Sequence, residues 1–137
     1  MALKLIQQDA ATLRSAFAER KNEYASLRAA GNWAGAILQA GILLEVALKL
    51  AICKHLRVSR LPIIFQVHDL ELLFYCSGQQ ETFETNAILQ DNFGFILGNW
   101  SMTLRYEGIK NKAESDLVDH ALFSVPDGVL TFLTPYL

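Results

Sequence analysis

The feature that most limits how this chain can fold is an apolar stretch that begins at Trp33 and contains no charged residue before Glu45. Asn32 precedes it and is a good helix N-cap, because its side-chain oxygen can accept a hydrogen bond from a backbone N–H of the first turn. We expect a helix that runs to about His55. A helix that is apolar on nearly every side must be covered by other elements. The stretch therefore predicts the central helix of an all-α fold.

The same stretch is long enough to be compared with a membrane span. It carries Gln39, Glu45 and Lys49, and each charge near the centre of a bilayer costs about 2.5 to 3.5 kcal/mol. Glu45 and Lys49 are four residues apart in the order that favours pairing on one helix face. We therefore predict a buried bundle helix that contains a Glu45–Lys49 pair, and no membrane partner.

Composition and charge set the class of protein. The chain has 137 residues, of which 52% are hydrophobic and 19% are charged, and its formal net charge is −2. Disordered chains combine low hydrophobicity with high net charge, so a single helical domain over residues 1–137 is expected. The acidic balance also excludes a strongly basic domain that coats nucleic acid, and it leaves only local contacts with phosphate.

Cysteine use and the N-terminal sequence indicate a cytoplasmic protein. Cys53 and Cys76 have no C-x-x-C spacing and are too few for a disulfide framework, so both are expected to be reduced thiols. The N-terminal sequence becomes polar too early for a signal peptide. Together with His55 and His120, the cysteines lack the spacing of a structural zinc site. We therefore predict no metal and no cofactor.

Helical periodicity predicts the elements on either side of the central helix. A first amphipathic helix, ended by Gly31, is indicated by apolar residues at helical steps: Ile6, Ala10, Leu13, Phe17, Tyr24 and Leu27. The basic segment 54–62 is interpreted as a helix end and a loop. A short helix over residues 69–77, stopped by Gly78, is expected to turn three residues inward: Leu70, Leu73 and Phe74. A weaker helix is expected over residues 81–90.

A buried penultimate helix is predicted by apolar residues at steps of four, three and four: Phe93, Leu97, Trp100 and Leu104. Gly94 and Gly98 interrupt this stripe, which lowers helix propensity but permits close approach of another helix. Arg105 is the first charge of this helix. A set of aromatic residues is assigned to the core or to a dimer interface: Phe93, Trp100, Phe132 and Tyr136.

The last helical region begins with a capping box formed by Asn111 and Glu114. One helical phase then continues to the C-terminus: Val118, Leu122, Val125, Val129, Phe132 and Tyr136. Pro126 is expected to split the region near Ser124, because its ring clashes with the carbonyl four residues earlier. The segment after Leu117 is apolar enough to need cover from a second copy. These elements together predict an all-α helical bundle.

Three passages carry a resemblance to a known family. The first is Gly31-Asn32-Trp33-Ala34 leading into Leu43-Leu44-Glu45-Val46-Ala47-Leu48-Lys49-Leu50. The second is Val67-His68-Asp69-Leu70-Glu71-Leu72-Leu73, and the third is Leu104-Arg105-Tyr106. They resemble, in order, the A-hE-hhLK-A helix, the H-D-L-x-x-L helix start and the L-R-Y motif of the HEPN family (higher eukaryotes and prokaryotes nucleotide-binding). The resemblance covers roughly residues 30–110 and implies an up-and-down bundle of four to five main helices that often dimerises. Together with the apolar C-terminal segment, it predicts a homodimer.

The resemblance implies two functional branches. Nuclease members carry an Arg-x4-6-His motif near the L-R-Y position, and their Arg and His meet across a dimer to cleave RNA without metal. In this chain Lys110, Asn111 and Lys112 occupy the positions of that histidine, and His120 lies too far from Arg105. A lysine is normally protonated and does not replace a base that titrates near neutral pH. The sequence therefore favours the non-catalytic branch, whose members bind a nucleotide, a substrate or a partner, in many cases a small nucleotidyltransferase.

The predicted ligand site lies between the second and penultimate helices and is formed by five residues: Glu45, Lys49, His68, Arg105 and Tyr106. No catalytic residue is assigned. Arg105 has two interpretations, since it can bind a phosphate or carboxylate, or it can pair with Glu45 or Glu107. His68 and Asp69 also have two interpretations, since they can belong to the ligand site or cap the third helix.

Four cations are candidates for contacts with phosphate or RNA: Arg57, Arg60, Lys110 and Lys112. A basic run at a helix end is more typical of a solvated terminus in a chain with an acidic balance. Two rival functions remain open. One is a ribonuclease toxin, in which Arg105 and Lys110 hold phosphate across the dimer and an antitoxin is the partner. The other is a structural subunit that docks another protein through its apolar C-terminal helices.

Overall fold

The computed structural model describes residues 7–137, and within this range it contains helices and no β-strand. The α-helices are α1 (Ala10–Ala29), α2 (Trp33–Leu56), α3 (Leu70–Tyr75), α4 (Gln80–Glu84), α5 (Ala87–Asn99), α6 (Lys112–Phe123) and α7 (Val129–Leu133). The 3₁₀ helices are Ile63–Phe65, Met102–Tyr106 and Thr134–Tyr136. The predicted all-α class is confirmed, and the chain forms a helical bundle.

The central position predicted for the second helix is confirmed by α2. This helix packs against α1, α3, α6 and α7, and its side chains from Leu43 to Cys53 are buried without interruption. Burial of one Leu or Ile side chain contributes about 1.5 to 3 kcal/mol, so this run supplies much of the hydrophobic stabilisation. By length and composition α2 is apolar enough to cross a membrane, and 83% of its most apolar window is buried within the protein.

Local sequence signals place the junction between α1 and α2 as predicted. Gly31 follows α1 with a left-handed φ of 72°, and the Asn32 side chain caps α2 by accepting the Gly35 N–H at 3.3 Å. Ile6, the first residue of the predicted stripe, lies outside the described residues. The other stripe residues of α1 are buried or half-buried against the core: Ala10, Leu13, Phe17, Tyr24 and Leu27.

The segment from α3 to α5 agrees with the sequence at α3 and differs after it. The inward residues of α3 are buried as predicted, but the helix ends at Tyr75, about two residues earlier than expected, and Gly78 lies beyond it with a φ of 86°. The prediction of one helix over residues 81–90 is wrong. The Asn86 side chain accepts the Leu89 N–H at 3.0 Å and so begins a new helix, because an asparagine favours this capping position over a helix interior. Residues 81–90 are therefore divided between α4 and α5.

The prediction of a helix over residues 93–104 is wrong at its C-terminal end. Trp100 has an extended backbone, with φ −128° and ψ 136°, so α5 ends one residue before it. The Trp100 indole N–H donates to the Leu38 carbonyl of α2 at 3.0 Å. This tertiary contact draws the chain out of the helix, and Leu104 is buried from a 3₁₀ helix instead.

The exposed face of α5 contradicts a second expectation for this region. Leu97 is exposed, and a Cβ atom added to Gly94 or Gly98 would meet no other atom within 4 Å. No helix of residues 7–137 approaches α5 at these two glycines, and the expectation that the whole stripe is buried is wrong at Leu97.

The predicted capping box and split of the last helical region are both confirmed. Asn111 accepts the Glu114 N–H at 2.9 Å, and Glu114 accepts the Asn111 N–H at 3.4 Å. Ser124 is the C-cap of α6, and α7 begins five residues later. Val125 is 85% exposed, so its inward assignment is wrong. The other apolar residues of this helical phase are buried or half-buried within the described chain: Val118, Leu122, Val129, Phe132 and Tyr136. They therefore do not need a second copy to cover them.

Candidate functional site

Three of the five residues predicted for the ligand site are in contact. In this Glu45 cluster the Lys49 ammonium donates to Glu45 Oε2 at 3.3 Å, and His68 Nδ1 lies 2.6 Å from Glu45 Oε1. Glu45 is 7% exposed and Lys49 is 3% exposed, whereas the His68 side chain is 66% exposed. One imidazole thus connects a buried ion pair to solvent.

Two short-range features of the sequence build the Glu45 cluster. Spacing of four residues places Glu45 and Lys49 on one face of α2. Asp69 caps α3 by accepting the Leu72 N–H at 3.0 Å, so His68 lies just before a helix that packs against α2. Of the two residues with a proposed capping role, Asp69 caps the helix and His68 contacts Glu45.

The geometry leaves the second ring nitrogen of His68 available to a ligand. Nδ1 is bound to Glu45, and Nε2 has no hydrogen-bond partner among residues 7–137. A carboxylate bound to one nitrogen fixes the ring orientation and favours the tautomer in which the other nitrogen is an acceptor. No serine, threonine or cysteine side chain in this range is bonded to His68. The arrangement therefore offers a polar contact for a ligand rather than an activated nucleophile.

Arg105 and Tyr106 stand apart from the Glu45 cluster. Both are exposed on the 3₁₀ helix Met102–Tyr106, and the guanidinium lies 4.9 Å from the centroid of the Tyr106 ring. Within residues 7–137 no salt bridge joins Arg105 to Glu45 or to Glu107, so both pairing interpretations are wrong. Glu107 instead pairs with Lys110 at 3.4 Å. No hydrogen bond in the described chain links Arg105 or Tyr106 to the cluster.

The four candidate phosphate contacts lie in two separate pairs. Arg57 and Arg60 are exposed just beyond the C-terminal end of α2. Lys110 lines a pocket with Ile37, near the start of α2. Because a helix rises 1.5 Å per residue, Ile37 is about 30 Å from Arg57. Carboxylates pair with both lysines, at 3.4 Å for Lys110 and 2.6 Å for Lys112. The four cations therefore do not form one basic patch.

A second polar cluster, which the sequence did not indicate, joins α1 to α6. In this Arg28 cluster the guanidinium donates to Ser115 Oγ at 2.8 Å and to Asp116 Oδ1 at 2.9 Å. The Tyr24 hydroxyl donates to Asp119 Oδ1 at 2.8 Å. These pairs are 87 to 95 positions apart in the chain, so no local pattern reports them. The inward position of Tyr24 in the stripe of α1 is the one available signal.

The contacts of the Arg28 cluster determine its protonation. Burial, together with the hydrogen bond to Asp119, raises the pKa of the Tyr24 phenol, which remains a donor. The hydrogen bond from Lys112, followed by that from Arg28, lowers the pKa of Asp116. Asp116 is therefore a carboxylate held between two cations.

Thiols and metal ligands form no further site in the described part of the chain. Cys53 and Cys76 are free thiols, and burial raises the pKa of Cys53, which disfavours the reactive thiolate. Residues 7–137 contain no group of three or more His, Cys, Asp or Glu side chains that could hold a metal ion.

Comparisons with known proteins give no relative for this chain: no family model matches it, and neither the curated proteins nor the solved structures yielded a match.

Proposed function

We propose that this chain is a non-catalytic binding module of the HEPN type, with the Glu45 cluster as the polar centre of its ligand site. One observation carries the proposal: a buried carboxylate orients an exposed imidazole, with 2.6 Å between Glu45 Oε1 and His68 Nδ1. His68 is then preorganised to bind a ligand through Nε2, because its ring orientation is fixed before the ligand arrives.

Two of the passages that resemble the HEPN family meet at this cluster. Glu45 and Lys49 belong to the first passage and His68 to the second, and Glu45 contacts both of the others. Convergence of polar residues that are distant in sequence is what a binding site requires. The third passage, with Arg105 and Tyr106, lies on the separate 3₁₀ helix. The proposed site therefore contains three of the five residues predicted from the sequence.

The proposed ligand is a nucleotide or a nucleotide-like substrate, and the proposed partner is a small nucleotidyltransferase in the cytoplasm. His68 Nε2 accepts a hydrogen bond from a base N–H when the ring is neutral, and it donates to a phosphate oxygen when the ring is protonated. Lys49 is enclosed beside Glu45, so it supports the carboxylate and does not contact the ligand.

For the proposed homodimer we place the interface around the 3₁₀ helix Met102–Tyr106. Tyr106 is 77% exposed, Ile109 is 94% exposed and Leu117 on α6 is also exposed. Lys110, which follows Ile109, lines one pocket with Leu117, and exposed apolar side chains that lie near one another are typical of protein interfaces. Light scattering at micromolar concentration should give twice the chain mass of 15.3 kDa, and Ile109→Asp should give the monomer. A monomeric wild-type protein contradicts this interface.

NMR titration with ATP and AMP tests the ligand site. We expect shifts in backbone amides of α3 and of α2 near Glu45. His68→Ala should weaken nucleotide binding by about tenfold, the loss expected for a hydrogen bond to a charged group. His120 is also an exposed histidine, on α6, so His120→Ala is the matched control and should leave binding unchanged. Equal effects of the two variants, or shifts centred on other elements, would contradict the site.

The second candidate function is RNA cleavage, and the observation that favours it is again the oriented imidazole of His68. Histidines held by a carboxylate are frequent general bases. Cleavage also needs a group that stabilises the charge developing on phosphate. The cation bonded within this cluster, Lys49, is buried against Glu45, so it does not supply that stabilisation. Binding is therefore the function that the geometry supports better.

A further inference from the structure

A pocket of about 190 Å³ lies between α3, α4 and the middle of α5, outside the Glu45 cluster. Its walls are mainly aromatic, and two carboxylates stand beside them. The aromatic residues are Phe74, Tyr75, Phe83 and Phe93, and the acidic residues are Glu71 and Glu84.

The aromatic walls are held rigidly by one another. The Phe74 ring centroid lies 4.9 Å from that of Phe83 and 4.7 Å from that of Phe93. Phe83 and Phe93 meet edge to face, at 5.8 Å and 87°. Phe74 and Phe93 are buried, whereas Tyr75 is largely exposed. Two fixed rings thus form the base of the pocket, and a tyrosine stands at its open side.

The pocket carries negative charge that the described chain does not neutralise. No lysine, arginine or histidine is among its lining residues. The Glu71 carboxylate has no hydrogen bond or salt bridge within residues 7–137, and the Glu84 carboxylate accepts only the neutral Gln80 amide, at 3.0 Å. The face of an aromatic ring is also negative. Carboxylates and ring faces therefore favour the same kind of ligand, a cation.

We propose that this pocket binds a small organic cation of the quaternary alkylammonium class. A quaternary alkylammonium is weakly hydrated and apolar around its charge, so it can contact ring faces while the carboxylates balance its charge. A divalent metal ion needs six or more oxygen ligands or retained waters, which phenylalanine walls do not provide. The size also fits, since a cavity of about 150 Å³ holds a molecule such as benzene. The pocket shares no residue with the Glu45 cluster, so this proposal does not depend on the proposed function.

Choline and its neutral carbon analogue, 3,3-dimethylbutan-1-ol, test the proposal directly. The two molecules have nearly the same shape and differ in charge. In NMR titrations of the full chain, choline should shift the ring resonances of Tyr75 and Phe83. The neutral analogue should bind about tenfold more weakly, the ratio expected when cation–π and carboxylate interactions are lost. Absence of choline binding, or equal affinity for the two molecules, would overturn the proposal.

Two matched variants separate the pocket from a general effect of acidic charge. Glu71 and Glu81 are both first-turn acids of short neighbouring helices, but only Glu71 lines the pocket. Glu71→Gln should weaken choline binding about threefold to tenfold and leave the neutral analogue unaffected. Glu81→Gln should change neither affinity. Equal weakening of choline binding by both variants would show a diffuse charge effect and reject the site.

A third variant keeps the test decisive if Glu71→Gln unfolds. Phe83 is only half-buried, so Phe83→Leu retains an apolar side chain while removing a ring face. It should weaken choline binding more than binding of the neutral analogue. An equal effect on both ligands would show that the ring acts only by shape, and it would also reject the proposal.

Discussion

The indole of Trp100 lies so close to Gly41 that a Cβ atom on Gly41 would be 1.9 Å from Trp100 Cε2. The same indole donates its N–H to the Leu38 carbonyl at 3.0 Å. One aromatic side chain therefore rests on the backbone of α2 and hydrogen-bonds to it. This contact determines where the chain leaves α5, and it requires glycine at position 41.

We expect Gly41→Ala to destabilise the protein by about 1 to 3 kcal/mol, because the added methyl group overlaps a ring that is tied to α2 and cannot move away without losing its hydrogen bond. Urea unfolding measures the change. Gly94→Ala is the matched control, since Gly94 is also helical but has open space around it, and it should stabilise by about 0.5 to 1 kcal/mol. A wild-type unfolding midpoint for Gly41→Ala would contradict the close contact.

Removal of one partner from the Glu45–Lys49 pair should be far more harmful than removal of both. Glu45→Leu leaves the Lys49 ammonium buried without a counter-charge, which is expected to cost about 3 to 5 kcal/mol. The double variant Glu45→Leu/Lys49→Met buries no charge and should recover most of that loss. The free energy of unfolding of the three proteins is the measurement. A double variant that is as unstable as the single one would show that the loss comes from packing rather than charge.

The Arg28 cluster predicts a loss of stability in acid. The pKa of Asp116 is lowered from its ordinary value of 3.8 by the hydrogen bonds from Lys112 and Arg28. Its contribution is therefore present above pH 3.8 and is lost as the pH falls through the lowered pKa. Urea midpoints of the wild type, measured from neutral pH downward, should decrease once the pH falls below 3.8. They should fall less steeply for Asp116→Asn, and unchanged steepness would remove Asp116 as a cause.

Incubation with RNA in the presence of a chelator should give no cleavage, because Lys110, Asn111 and Lys112 stand where the family's nuclease motif has its histidine. Gel electrophoresis of the RNA over time is the readout. Cleavage that Arg105→Ala or His68→Ala abolishes would show that the protein is a ribonuclease rather than a non-catalytic binding module. Cleavage that survives both variants would indicate a contaminating nuclease.

Helix caps were predictable because their determinants lie within four residues. Asn32 and the Asn111–Glu114 capping box were identified from sequence and stand where expected. The Glu45–Lys49 contact was predictable for the same reason. The end of α5 was not, because Trp100 leaves the helical phase to reach Leu38, 62 positions earlier. Periodicity records which residues are apolar, but it does not record which distant backbone group an indole N–H will find.

The same difference between local and long-range contacts decides which residues of the candidate site were predicted correctly. His68 was placed in it because its passage resembles a family motif, and its contact with Glu45 spans 23 positions. Arg105 was placed there on the assumption of a helix through Leu104, and that assumption fails once the chain turns at Trp100. The Arg28 cluster was not predicted from the sequence, because it consists of an ordinary helix-end arginine and two acids of a distant amphipathic helix.

The shortness of α3 has a consequence for both proposed sites. A helix of six residues is not stable by itself, so α3 persists because it is docked on α2. His68 immediately precedes it and Glu71 lies within it. Any ligand that contacts either residue therefore also opposes detachment of α3 and should raise the protection of its backbone amides from hydrogen exchange.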